Sequence, residues 1–150
     1  MKPLIVLLSV FAISIVTFRI FKGNYEFAVS GRIAMSVMLF FTALGHFVFT
    51  KGMSMMLPVF IPYRNEIIYL TGIIEILAAI GLFISSVRVL TGWLLITFFI
   101  LILPANIYAA INQIDYQKGT LEGNGLTYLW FRVPLQLLFI IWAYFVTIKS

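Results

Sequence analysis

The chain has no cysteine and a single histidine, and charged residues fill only 10% of its 150 positions. Without cysteine, disulfides, CxxC redox chemistry, thiolate nucleophiles and Cys-ligated metal clusters are excluded within this chain. One histidine rules out bis-histidine haem ligation, and no CxxCH or HExxH motif occurs. A Gly-rich phosphate loop, a Ser-His-Asp arrangement, internal repeats and low-complexity linkers are also missing. No motif announces an enzyme or a resident cofactor. No run of basic residues recommends a nucleic-acid partner, and the net charge of +5 comes from Lys and Arg scattered at segment ends. That pattern suits anionic lipid headgroups.

What the chain has in abundance is apolar sequence. Hydrophobic residues make up 63% and the mean hydropathy is +1.10, whereas soluble domains carry about 25% charged residues and under about 50% apolar ones. An integral membrane protein of one domain is expected. A membrane-spanning helix needs about 20 mainly apolar residues, and five windows come close: 4–21, 33–50, 67–87, 89–111 and 128–148. The first resembles a signal peptide, but no small-residue cleavage pattern follows it, so a retained helix is expected. The reading is all-α: a four-helix transmembrane bundle over residues 31–150, preceded by one additional N-terminal transmembrane helix and charged linker over 1–30.

The connections refine this. Residues 51–66 are apolar for a loop, and Pro58 and Pro62 prevent a continuous helix there. A very short turn at Arg88 makes the spans around it antiparallel neighbours. Stretch 112–127, with Asp115, Lys118 and Glu122, is the most polar. Arg19, Lys22, Arg32, Arg88 and Lys149 collect on one side, against Lys2, Lys51, Arg64 and Lys118 on the other. By the positive-inside rule the N-terminus is expected outside and the C-terminus inside, and the expected location is a bacterial cytoplasmic membrane.

Five strongly polar side chains interrupt the apolar windows: His46, Glu75, Asn106, Arg132 and Gln136. An ionisable group in hydrocarbon is costly unless it is paired or faces water. At about 1.5 Å per residue, His46 lies roughly 6 Å and Glu75 roughly 12 Å from loop 51–66. Asn106 and Arg132 each lie roughly 7 Å from loop 112–127, with Gln136 one turn deeper. Both loops fall on the same side, so all five groups occupy one leaflet, and the opposite leaflet holds nothing comparable. Thr42 and His46 share a helix face, as do Arg132 and Gln136, while Gly72 and Ala79 beside Glu75 admit a close neighbour. Pro104 and Pro134 free the carbonyls of Ile100 and Trp130.

Two outcomes are open for the cluster. It either encloses a lipophilic ligand, with Glu75 as acceptor or proton carrier, Arg132 setting its charge and His46 titrating or donating, or it is a purely architectural knot in which Arg132 pairs with Glu75. Met53, Met55 and Met56 beside His46 are soft donors that suit Cu(I), although interfacial packing accounts for them better. Tyr63, Trp93, Tyr108, Tyr128 and Trp142 read as headgroup-level anchors or bundle packing.

The succession GHF (45–47), PVFIP (58–62), TGIIEI (71–76), Arg88, PANIY (104–108) and RVPLQ (132–136) resembles the DoxX-like group of small membrane proteins over about residues 31–148. The resemblance implies a four-helix transmembrane core, with the first span an addition, and motif positions at His46, Glu75, Asn106, Arg132 and Gln136. Members are similar to a quinone-linked subunit of thiosulfate oxidation, to membrane partners of oxidoreductases and to assembly chaperones of nicotinic receptors; a sterol-isomerase and sigma-2 receptor group has a similar bundle. The expectation is an accessory membrane protein with a pocket for a quinone or lipid, acting beside a membrane-protein partner. The alternatives are an assembly factor or chaperone and, less favoured, a quinone-linked oxidoreductase subunit.

Overall fold

A computed structural model describes residues 2–115, 118–123 and 125–149; the side chain of Tyr128, read above as an anchor, lies outside the described residues, as do parts of loop 112–127. The chain is helical. Among the described residues no strand forms, only an isolated bridge between Asp115 and Thr120. The elements are α1 (Lys2–Lys22), α2 (Phe27–Val48), α3 (Thr50–Ser54), α4 (Arg64–Gly81), α5 (Arg88–Ile111), a 3-10 turn (Gly125–Tyr128), α6 (Leu129–Ala143) and a π turn (Tyr144–Ile148).

Four helical stretches are long and apolar enough to cross a membrane: α1, α2, α5 and Gly125–Ile148. The third window is the exception to the expected five. Its helix, α4, has 18 residues and includes Arg64, Glu66 and Glu75. Helix α2 starts at Phe27, well ahead of its apolar window. The segment read as a charged linker therefore already contains its first turn, and Arg32 sits inside the helix.

Helix α2 is the centre of the packing, lying along α1 on one side and α4 on the other, while α5 packs along α6 and the π turn. Leu7 of α1 is fully buried in the same core as Met35, Met38, Leu39, Leu82 and Leu95. Large apolar side chains such as Leu44, Leu70, Leu77, Leu101 and Phe145 stay exposed on the outer faces.

The end of the bundle at the 82–87 turn is closed by polar contacts. A helix leaves its last carbonyls without intrahelical donors, and here each of α4's is served. Leu82 N donates to Ala78 O, Phe83 N to Ile80 O and Ile84 N to Gly81 O. Ser36 Oγ reaches across from α2 to Ala79 O at 2.9 Å, and Arg88 Nε donates to Leu82 O at 3.2 Å. Ser36→Ala is therefore expected to cost about 1.5 kcal/mol, since it strands a buried carbonyl. Chemical unfolding of the detergent-solubilised protein measures it, and an unchanged midpoint would show that Ala79 O finds another donor.

At the same end, buried Arg32 donates from Nη1 to Val146 O of the π turn at 3.0 Å, and Trp142 Nε1 donates to Gly31 O at 3.1 Å. This corrects the expectation that nothing comparable to the polar cluster exists at that depth. The apolar window 33–50 begins just after Arg32, so hydropathy alone places this charge outside the span.

Candidate functional site

The opposite end of the bundle is hollow. A cavity of about 430 Å³ opens there, and His46, Glu75, Asn106, Arg132 and Gln136 all line it. The volume falls in the lower part of the roughly 300–1,000 Å³ range of small-molecule sites. Most of the remaining wall is apolar, including Leu39, Phe99, Ile102 and Phe139.

One wall comes from α2 and α4. Gly72 allows these helices to approach closely: a Cβ there would stand 3.0 Å from His46 Cβ and 3.2 Å from the Phe47 ring. Glu75, on the following turn of α4, is thereby brought to His46, with Nε2 3.3 Å from Oε2. The Thr42 hydroxyl stands 3.1 Å from the same carboxylate oxygen and 3.1 Å from Leu39 O, with one proton to give. On the far side of the imidazole, Thr71 Oγ1 lies 3.0 Å from His46 Nδ1 and donates to Ile68 O at 2.8 Å. The imidazole is thus held between the Thr71 hydroxyl and the Glu75 carboxylate. Glu75 is only 5% exposed, so the pair is held out of solvent.

The other wall comes from α5 and α6. Gln136 Nε2 donates to Phe99 O at 3.0 Å, the carbonyl next to the one that Pro104 deprives of a donor. Asn106 is 6% exposed, and its Nδ2 has no hydrogen-bond partner. Arg132, half-buried, likewise has a buried Nε without a partner. No carboxylate among the described residues lies within 4.0 Å of its guanidinium. The Arg132–Glu75 pair of the architectural alternative is thus not formed. Its place is taken by His46 because α2 packs tightly on α4, whereas α4 and α6 are not in extended contact.

Contributors beyond the five polar residues come from α4 and α1. Thr71 sits one turn before Glu75 on the same face, and that i, i+4 spacing was the available signal. Lys2 and Pro3 of α1 also line the cavity. Met53 and Met56 line it as well. With both imidazole nitrogens of His46 committed to Thr71 and Glu75, packing explains them better than copper. Among the described residues no group of three His, Cys, Asp or Glu side chains gathers as a metal site.

Fold and site together define a helical bundle, tight at one end and holding a polar-lined hollow at the other. The chain belongs to the family described as Domain of unknown function (DUF8561), whose model matches residues 35–147. That stretch begins within α2 and ends in the π turn, so α1 lies outside it while still burying Leu7 in the core. No curated protein and no solved structure matches the chain.

Proposed function

We propose that this is a noncatalytic accessory protein of the bacterial cytoplasmic membrane. In this reading α1, α2, α5 and α6 with its flanking turns span the bilayer, and α4 completes the four-helix DoxX-like core. The cavity receives the polar head of a lipophilic molecule, a quinone or a lipid, from one leaflet, and a membrane-protein partner uses or supplies it. The exposed Leu, Ile and Phe side chains on the outer helix faces support insertion, since a soluble monomer rarely shows large apolar patches.

The observation that carries the reading is the convergence of five polar side chains, from four helices, on one hollow that leaves Asn106 Nδ2 and Arg132 Nε unpartnered. An architectural knot would satisfy its own donors, because a stranded buried donor costs about 1–3 kcal/mol. The test is lipid mass spectrometry on the purified protein beside Glu75→Gln and Arg132→Met. One lipid or quinone species should be enriched over the bulk membrane extract in the wild type and fall at least tenfold in both variants while they remain folded. A wild type that carries no enriched species defeats the proposal.

A further inference from the structure

Resting on that pocket reading, we infer that the cavity selects a single-chain amphiphile with an anionic head, a carboxylate or a phosphate monoester. The inference follows from which hydrogen-bonding groups on the walls are already engaged. Glu75 Oε2 is engaged by His46 and Thr42, and Thr71 by His46 and Ile68. Gln136 has given its amide proton to Phe99 O. Among the wall's fully buried side-chain atoms, the ones left unpartnered are both donors, Asn106 Nδ2 and Arg132 Nε. Lys2, a cationic residue, belongs to the same lining. The pocket's unmet demand is therefore for acceptors.

Charge narrows the head further. The Glu75 carboxylate has the His46 imidazole 3.3 Å away, whereas Arg132 has no carboxylate within 4.0 Å among the described residues. A guanidinium always carries its charge and is matched best by two oxygens in one plane. A neutral carbonyl head would satisfy Asn106 Nδ2 but leave Arg132 without a counter-ion in a poorly solvated site. A carboxylate or phosphate answers both donors at once. The remaining wall around Leu39, Phe99, Ile102 and Phe139 is apolar, and about 430 Å³ accommodates one acyl chain better than two.

The probes are oleate, oleoyl lysophosphatidate, oleyl alcohol and a short-chain ubiquinone, added to the full chain in a nonionic maltoside detergent. Binding is read by native mass spectrometry and by competition with radiolabelled oleate. Oleate should bind at least tenfold more tightly than oleyl alcohol, which shares its chain but not its charge. Arg132→Gln and Asn106→Leu should each remove most of that preference and leave alcohol affinity within about twofold, which unfolding would not do. Arg132→Lys should retain part of it. Tighter binding of either oleate or lysophosphatidate supports the inference and tells which acid head fits. If alcohol matches oleate, or ubiquinone outcompetes it, the anionic head is wrong while the pocket stands. If no probe binds, the pocket reading falls as well.

Discussion

Glu75→Leu is expected to destabilise the bundle by about 3 kcal/mol. Removing one partner of a buried pair usually costs about 3–5 kcal/mol, because the other charge is left without compensation. Here the loss falls at the low end, since the His46 side chain keeps 15% of its exposure. What remains is a half-buried imidazole whose Nε2 faces leucine, and a Thr42 hydroxyl left with Leu39 O alone. The double variant His46→Leu, Glu75→Leu should recover much of that loss, because apolar replacement of both partners removes the stranded groups. Unfolding of the wild type, the His46→Leu and Glu75→Leu single variants and the double variant in denaturant closes the cycle. If Glu75→Leu unfolds with the wild type, the His46–Glu75 contact holds no part of the fold together.

Gly92→Ala is expected to cost a comparable amount, about 3 kcal/mol, at the other end of the molecule. A Cβ on Gly92 would stand 2.0 Å from Thr147 Oγ1 and 2.7 Å from Thr147 Cβ. Rotating Thr147 does not relieve this. Its hydroxyl would leave Ala143 O, to which it donates at 2.6 Å, and its Cβ would still collide. Helix α5 and the π turn must therefore move apart, and the overlying contacts of Arg32 and Trp142 loosen with them. Gly45→Ala is the control: the nearest atom is the flexible Met53 Cε at 3.5 Å. With no collision to relieve, the gain in helix propensity should leave that variant as stable as the wild type or slightly better. Thermal unfolding that ranks the two alanine variants equally would contradict the tight seam between α5 and the π turn.

The site was legible wherever depth alone decides. Fixed helical rise and short connections are enough to bring His46, Glu75, Asn106, Arg132 and Gln136 to one end of the bundle, and the structure lines one cavity with all five. Pairing was not legible, because it depends on helix-to-helix distance. The approach that Gly72 permits gives Glu75 to His46, and the spacing of residues along a sequence carries no measure of how far α6 stands from α4. Hydropathy windows also misplaced polar residues near helix starts. Arg32 lies in the second turn of α2, but a window must begin after a charge to score as apolar. The same limit hid the nature of α4, whose length is helical but whose charges set it apart from the four more apolar stretches. Thr71 escaped notice because a threonine in an apolar run attracts no attention until its neighbour one turn on is an acid.

The placement of Lys2 and Pro3 on the cavity wall has a practical side. The leading turn of α1 stands at the pocket, whereas the π turn that ends the last helix lies against α5 and Arg32 at the closed end. A purification handle fused ahead of α1 would hang beside the opening and compete with whatever enters, above all if it is a run of histidines. The same handle after the π turn would leave the entrance clear, so the choice of which end to tag decides whether a ligand survives the affinity column.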